Sequence, residues 1–476
     1  MKILPSKLLL ALSLCAPAAA DTIYSNLQET AIPTDFTGVF LSVDGGTLNP
    51  FFGGVGVAND NLFQPVRSGT GNLDRIQNLA VGSTVDTSQW FSSGYGGSQD
   101  HLGTTFTAGQ EGYLGFRTGN GNYGWMRVVF TGNTSGAVVK DWAYDNAGGP
   151  IVVGRVQQGT ASGGAQLVTL SPDTGESFTL GSAVSDTGGN VNSVLKTGGG
   201  VTTLSSASYT GTTTVNNGRL VLADTTSFAS SAASITGGTL ELKRTGSNWS
   251  VGTLMSGGGT IEKTGNGGVT LTGSSGSFTG NTAVTQGGLW VNGTLGTASS
   301  SVSVSSSGTL GGSGAIGGSV TVSGILSPGA SIESLALGSL TMNSGSTLAW
   351  EVGSDHSADL LQVDGLLSLI GVTLDLNATT LSNLGLNSWE AGDKLTLVSY
   401  SGDAISSGFE GYADDSVHNF GGNEWRFNYD DIAAGSNFAL EANGSHYVTM
   451  TVVPESSTAL LGGLGMLLLL RRRRTE

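Results

Sequence analysis

The chain has 476 residues, of which 78 are Gly and only 11 % are charged, against about 25 % charged residues in an ordinary soluble domain. Its 35 acidic and 19 basic residues give a formal net charge of −16, which argues against nucleic-acid binding through a Lys- and Arg-rich surface. The single Cys, Cys15, excludes an intrachain disulfide framework and a Cys-ligated metal site. Aliphatic residues recur at every second position in many segments, which is typical of folded strands rather than of disorder.

Residues 1–20 have the three-part plan of a secretory signal peptide. A basic start precedes an apolar run, residues 8–14, and the small residues Ala18 and Ala20 follow it. Signal peptidase is therefore predicted to cut after Ala20, which would leave Asp21 as the first residue of the exported protein.

Residues 453–476 form a second three-part signal. The motif Val453, Pro454 and Glu455 precedes an apolar segment, residues 459–470, that is shorter than the roughly 20 residues a stable membrane span needs. Basic residues behind such a segment hold that end in the cytoplasm, so a transient transmembrane sorting helix is expected. The four basic residues are Arg471, Arg472, Arg473 and Arg474.

This tail resembles the PEP-CTERM sorting signal of Gram-negative bacteria, with Ser456 where that family usually has Pro. The resemblance implies export, transient anchoring in the inner membrane, and cleavage near the motif by an exosortase-type transpeptidase. It also implies a final location at the cell surface or outside the cell.

Two segments in the middle of the chain, residues 194–222 and 261–291, align with each other. Each begins with Lys-Thr-Gly, at Lys196 and Lys263, passes through an aromatic-Thr-Gly turn and ends in Gly-x-Leu. Thr, Val and Leu alternate with small polar residues between Gly and Asn turns, which favours half-buried strands. Such units cannot bury a core alone, so they are expected to stack as a parallel β-helix. A β-sandwich has similar strand spacing and is the alternative.

The repeat resembles the autotransporter-associated β-strand repeat at Lys196-Thr197-Gly198, Tyr209-Thr210-Gly211 and Gly218-Arg219-Leu220, with Phe278 in place of Tyr209 in the second copy. That family implies a surface protein built as a β-helix, and a right-handed winding is expected here.

The whole chain is expected to be all-β. The aromatic-rich N-terminal part carries an Asn-Gly turn between two alternating runs, which predicts an antiparallel β-sandwich. The strand with Tyr123 and Trp125 also resembles an N-terminal domain of exported PEP-CTERM proteins. The predicted plan is a β-sandwich over 21–157, a linker or first irregular rungs over 158–190, the repeat solenoid over 191–345, and closing rungs with a β cap over 346–452.

Few residue patterns indicate chemistry. The four His stand apart, so no metal-binding pair is visible; they are His101, His356, His418 and His446. Two Gly-x-Gly-x-x-Gly matches are read as turns because neither opens a helix; they are Gly119/Gly121/Gly124 and Gly312/Gly314/Gly317. No cofactor is expected. The alternative is Ca²⁺ on paired carboxylates, at Asp414–Asp415 or Asp430–Asp431.

Aromatic side chains are the candidates for contact with sugar rings. The four candidates are Trp90, Phe91, Tyr95 and Trp125, and core packing is the favoured role of Trp125. No catalytic constellation is recognised, so a non-enzymatic structural or adhesive surface protein is the favoured function. The alternative is a β-helix protein that binds or degrades polysaccharide, as a lyase or glycoside hydrolase with a basic residue or paired carboxylates. The expected partners are signal peptidase, the transpeptidase and extracellular polysaccharide.

Overall fold

The computed structural model describes residues 21–454 with the exception of a few short segments. Those segments are 26–27, 71–74, 93–105, 133, 161–165, 182, 187–190, 225–227, 330, 404, 406–407 and 439–444. Within the described residues the fold is all-β apart from the α-helix Ala378–Leu384 and the 3₁₀ turn Phe52–Gly54. The all-β prediction is therefore confirmed. The chain divides into two compact units, residues 1–156 with 178–182, and residues 157–177 with 183–476.

The first unit contains a large, mainly antiparallel sheet and two smaller ones. The large sheet has its longest strands adjacent in sequence, with Leu114 opposite Met126 and Trp125 opposite Ala143. Its strands are Asp21–Tyr24, Thr30–Ala31, Phe63–Arg67, Asn78–Leu79, Trp90–Phe91, Glu111–Thr118, Tyr123–Val129, Val138–Asp145 and Ser177–Leu180. The smaller sheets are Leu41–Val43, Gly46–Phe51 and Gly56–Asn59, and Thr84–Val85 with Ile151–Val152.

The core of the first unit lies between the large sheet and the three-stranded sheet. Leu48 and Val57 from the small sheet pack with Phe116 and Met126 from the large one. Trp125 points to the other face, where its ring lies 5.7 Å from that of Tyr113. The strand Tyr123–Val129 is therefore buried on both faces, which accounts for its nearly continuous run of large side chains.

The second unit contains a β-solenoid with three parallel sheets. Residues 20 or 21 positions apart lie opposite each other, as Thr239, Thr260, Asn281 and Ser301 do along one sheet. Inward residues of each strand are aliphatic and outward ones are small and polar, for example in Ala315–Val322. Each rung therefore adds a layer of Val, Leu and Ile to a continuous interior. The stacking of the repeats into a solenoid is confirmed, and the right-handed sense of its winding stays a prediction.

The three sheets occupy overlapping parts of the chain, and the rung of residues 239–256 contributes a strand to each of them. The first sheet contains Gln166–Leu170, Asn192–Lys196, Thr213–Val215, Ala232–Ile235 and Leu254–Ser256. The second sheet contains Val201–Leu204, Arg219–Leu222, Thr239–Lys243, Thr260–Thr264, Asn281–Val284, Ser301–Val304, Ala315–Val322 and Ser334–Met342. The third sheet contains Trp249–Val251, Gly268–Leu271, Gly287–Val291, Gly308–Gly312, Ile325–Pro328, Thr347–Ala349 and Thr373–Asp375.

Short parallel strands complete the rungs, and an antiparallel group follows the last of them. The short strands are Val184–Ser185, Ala207–Ser208, Ser274–Ser275, Thr294–Leu295, Leu360–Val363 and Leu367–Ser368. A further strand, Val156–Thr160, joins the first sheet beside Gln166–Leu170. Strand Lys394–Tyr400 pairs in parallel with Leu360–Val363 and in antiparallel with His446–Val453. Strands Asn423–Asp431 and Val417–Phe420 extend this antiparallel group. A change from parallel to antiparallel pairing closes the end of the second sheet, because Leu360–Val363 pairs with Ser334–Met342. An uncovered edge there would invite pairing with another chain.

Candidate functional site

The recurring lysine of each Lys-Thr-Gly motif is buried inside a turn of the solenoid. Lys263 is 0 % exposed, and its Nζ donates to the carbonyl oxygens of Thr264, Gly265 and Gln286 at 2.8, 2.7 and 3.0 Å. An ammonium group has three donors and no acceptor, so these three carbonyls satisfy it completely. Gln286 lies one rung further along, which means that the side chain ties one turn to the next.

Lys196 makes the same cage in the first copy of the repeat. Its Nζ donates to the carbonyl oxygens of Thr197, Gly198 and Asn217 at 3.4, 2.5 and 3.2 Å. We call the two arrangements the lysine cages. The third acceptor of each cage precedes a Gly with positive φ, Gly218 at 65° or Gly287 at 69°. Such a φ favours Gly because it has no Cβ to clash with the following carbonyl.

Burial controls the protonation of both lysines. Removal of each ammonium group from water lowers the pKa of Lys196 and the pKa of Lys263 to about 8. The three carbonyls of each cage favour the charged form, so both groups are cationic at neutral pH. Neither Nζ is placed to reach a substrate, because the protein's own backbone surrounds it. The Lys-Thr-Gly motif therefore has a structural role.

The predicted sugar-stacking aromatics separate into two groups. Trp125 is 1 % exposed and belongs to the core of the first unit, so its favoured role in packing is confirmed. Trp90 and Phe91 form one short edge strand, in which Trp90 is 55 % exposed and Phe91 is half-buried. Tyr95 lies outside the described residues. Only the pair Trp90 and Phe91 is thus placed at an accessible surface.

Trp90 and Phe91 line a pocket of about 370 Å³ together with Gln89, Arg117 and Tyr123. We call it the aromatic pocket; Thr70 and Thr87 complete its lining. The rings of Phe91 and Tyr123 lie 5.6 Å apart, and the Arg117 guanidinium lies 6.0 Å from the Tyr123 ring. Arg117 is exposed and forms no ion pair with a carboxylate in the described part of the chain. Tyr123 and Arg117 lie on strands next to the Asn-Gly turn, so pairing across the sheet brings them to the edge strand of Trp90.

The carboxylates considered for Ca²⁺ have separate protein partners. Asp414 Oδ1 accepts from the Tyr429 amide, and Asp431 Oδ2 accepts from Lys394 at 2.6 Å. Asp430 contacts His446 Nδ1 at 2.5 Å. No group of three or more His, Cys, Asp or Glu with metal-binding geometry occurs among the described residues. Calcium at these pairs stays an untested alternative.

The remaining sequence candidates occupy structural positions. The ring of His356 stacks on Trp389 at 3.6 Å, and His418 lies 4.7 Å from the Tyr412 ring; His101 is outside the described residues. Gly119 and Gly121 of the first Gly-x-Gly-x-x-Gly match lie in the turn between Glu111–Thr118 and Tyr123–Val129, as expected, whereas Gly124 lies within the second of these strands. The second match is only partly a turn, because Gly317 lies within the strand Ala315–Val322. The prediction of a turn at Gly317 was wrong, since the solenoid pairing extends the strand through it.

A buried carboxyl group was missed at the sequence level. Asp359 is 1 % exposed, and its two oxygens accept from the backbone amides of Glu333 and Glu351 at 3.1 and 3.0 Å. Burial raises the pKa of Asp359 to about 7 against the opposing effect of these two bonds. No periodic pattern marks it, because its role depends on two amides that are 18 residues apart in the chain.

The two predicted sorting signals meet the described fold at its ends. Asp21 begins the strand Asp21–Tyr24, and Val453 ends His446–Val453, where it lies opposite Glu424. Ala18, Ala20, Glu455 and the four arginines lie outside the described residues, as does the predicted membrane segment. Within the part of the chain that is described, no helix is sufficiently long and apolar to cross a membrane. A comparison with protein-family models found no match, and neither did a search of the curated proteins.

Proposed function

We propose that this protein is an exported, non-enzymatic surface or matrix protein of a Gram-negative bacterium, in which the solenoid serves as a structural and adhesive element. The observation that carries this proposal is the pair of lysine cages. In each cage a buried cation holds two turns of the repeating β structure together, so the repeated motif has a structural role. A solenoid presents long, regular faces with a small core, which suits a spacer or an adhesive.

The sorting part of the proposal rests on the two terminal signals. Signal peptidase would cut after Ala20 and the exosortase-type transpeptidase near Pro454, after transient anchoring in the inner membrane. Val453 pairs with Glu424 at the end of a central strand of the closing group. Cleavage beyond this point would remove the tail and leave the strand whole, which supports a junction between fold and signal at this position.

Localisation of the tagged protein in cells with and without the transpeptidase tests this proposal. We expect surface or extracellular protein in the first cells and retention in the membrane fraction in the second. Replacement of Arg471–Arg474 by Ser is expected to impair retention before processing. Mass spectrometry that finds an intact C-terminus on the surface protein would contradict the cleavage.

Binding of an acidic saccharide is a second candidate function, and the aromatic pocket favours it. Aromatic rings carry negative faces that attract the C–H groups of a sugar ring, and Trp90 and Phe91 offer such rings. Arg117 is free to pair with a sugar carboxylate, for which a guanidinium is well suited.

Titration of the protein with oligogalacturonate tests this candidate. We expect Trp90→Ala and Arg117→Gln each to weaken binding by about tenfold, whereas Phe36→Ala, at another exposed ring of the same unit, leaves it unchanged. Equal binding by all three variants would exclude the pocket. A reducing-end assay on the same ligand separates binding from catalysis, because turnover would contradict the non-enzymatic proposal.

A further inference from the structure

A groove of about 360 Å³ lies on the third sheet of the solenoid, in a region that no sequence motif marked. Its centre is Trp290, a partly exposed residue of the strand Gly287–Val291. Around it lie the polar residues Asn248, Asn292, Ser327 and Glu351. We call this surface the Trp290 groove.

Glycines beneath Trp290 make the sheet flat enough for the indole to lie on it. A Cβ added at Gly288 would lie 2.0 Å from the indole, and one at Gly268 would lie 2.3 Å from it. Gly311, which pairs with Trp290 from the next rung, would bring a Cβ to 3.2 Å. The ring is therefore held against the backbone of neighbouring strands, and its opposite face is directed into the groove. An indole held in this way offers a flat surface at a small cost in side-chain entropy.

Hydrogen-bonding groups flank this ring on successive rungs. Asn292 accepts from the Ser313 amide with its Oδ1, and its Nδ2 has no acceptor in the described part of the chain. Glu351 accepts from Asn377 with Oε1, which leaves Oε2 for a ligand. Asn248 and Ser331 are exposed at the groove. A central aromatic face with amide, hydroxyl and carboxylate groups beside it matches the two surfaces of a sugar, one of C–H groups and one of hydroxyls.

We propose that the Trp290 groove binds a neutral, linear polysaccharide that runs along the solenoid axis. This inference does not rest on the sorting proposal or on the aromatic pocket. The charge of the groove selects a neutral chain, because Glu351 is the charged residue among its described lining and no Lys or Arg accompanies it. An acidic polymer would bring its carboxylates against that of Glu351 inside a protein with a net charge of −16.

The length of the groove indicates the direction in which the bound polysaccharide runs. Its lining extends from Asn248, which precedes the strand Trp249–Val251, to Glu351, which follows the strand Thr347–Ala349. These two strands are five strand spacings apart along the third sheet. Parallel strands lie about 4.8 Å apart, so the groove extends over roughly 24 Å. One strand spacing is close to the length of a pyranose residue in an extended chain. Successive sugars can therefore meet successive rungs in a similar way.

Calorimetric titration of the full-length protein with linear neutral hexasaccharides of glucan, mannan and xylan tests the proposal. We expect at least one of them to bind, and Trp290→Ala to weaken that binding by about tenfold. Trp290→Phe retains a ring and is expected to restore most of the affinity. Ile325→Ala is the matched control, because Ile325 is an exposed apolar residue of the same sheet outside the groove.

Three outcomes would overturn the proposal. The first is that none of the hexasaccharides binds to the wild-type protein at millimolar concentration. The second is that Trp290→Ala, shown to be folded by an unchanged melting temperature, binds as well as the wild type. The third is that a disaccharide of the same sugar binds as tightly as the hexasaccharide, which would contradict the placement of the polysaccharide along the solenoid axis. Trp90→Ala is expected to leave this binding unchanged, so a failure here is distinguishable from a failure of the aromatic pocket.

Discussion

Lys263 donates from its Nζ to the carbonyl oxygen of Gln286, 3.0 Å away and 23 residues further along the chain. This contact joins two consecutive rungs through the centre of a turn. Lys196 and Asn217 form the equivalent contact at 3.2 Å. The relationship explains why a lysine recurs in a chain that has only 11 % charged residues.

Loss of a lysine cage is expected to destabilise the solenoid. Lys263→Met keeps most of the side-chain volume but removes the ammonium donor from three carbonyls, of which that of Thr264 also accepts from the Arg244 amide. We expect a cost of about 3 kcal/mol in the free energy of unfolding. Urea-induced unfolding followed by circular dichroism measures this change. Lys243→Met, at an exposed lysine on the same rungs, is the control and should change stability by less than about 0.5 kcal/mol. Equal effects of the two substitutions would show that the cage does not stabilise the fold.

The same lysines are expected to make stability depend on pH in alkaline solution. The pKa of Lys263 is about 8 in the folded protein, below its value of about 10.4 in an unfolded chain. Between these values the unfolded state binds more protons, so the free energy of unfolding rises with pH. We expect an increase of about 2 kcal/mol per caged lysine between pH 8 and pH 10.

Denaturation midpoints measured across this pH range test the prediction. The double variant Lys196→Met, Lys263→Met should lose the dependence, while Lys243→Met retains it. A wild-type curve that falls steadily over this range would contradict the assigned direction.

Gly287 is expected to tolerate no side chain. Its φ of 69° is unfavourable for other residues, and an added Cβ would lie 2.4 Å from the carbonyl oxygen of Gly265. Gly287→Ala should therefore cost more than about 3 kcal/mol. Gly345 has a φ of 82° with nothing within 4 Å of an added Cβ, so Gly345→Ala should cost about 1 kcal/mol from backbone strain alone. The difference between the two, measured by thermal unfolding, isolates the collision between rungs.

The first unit is expected to depend on a buried ion pair. Arg127 Nε donates to Asp141 Oδ1 at 2.9 Å, and Tyr24 donates its hydroxyl to Asp141 Oδ2 at 2.6 Å. Asp141→Asn would leave the buried guanidinium without its main counter-charge, at a cost of about 3 kcal/mol. The urea concentration at which the near-ultraviolet circular dichroism signal is lost measures this effect, and we expect it to be lower in the variant than in the wild type. Glu29→Gln, at an exposed carboxylate of the same unit, should have little effect, and an equally small effect of Asp141→Asn would refute the prediction.

Alternation of side chains made the fold class predictable. Segments such as Thr260–Thr264 place Ile261 and Lys263 on the inner face and small or charged residues on the outer one, and this period of two is local. Glycine turns and the alignment of residues 194–222 with 261–291 then favoured stacking. The same reasoning placed Trp125 in the core, because a Trp in a strand of alternating apolar residues is expected to pack against other apolar side chains.

The meaning of the repeat spacing was not predictable in the same way. Lys196 lies in a strand of the first sheet, whereas Lys263 lies in a strand of the second. Their separation of 67 residues is thus not a whole number of rungs, and the second copy is shifted by one sheet. An alignment detects equivalence between residues, but the face on which a residue lies depends on the length of every intervening rung.

The sequence by itself determined that the chain forms short, half-buried β-strands, that these strands repeat, and that lysine begins each repeat. The tertiary structure decided what surrounds those lysines, which aromatics remain accessible, and where polar groups from distant rungs meet at Trp290. The physical reason is the distance along the chain over which each interaction acts. Strand alternation and glycine turns act over a few neighbouring residues, whereas cages, pockets and grooves join groups that only the packing of successive rungs brings together.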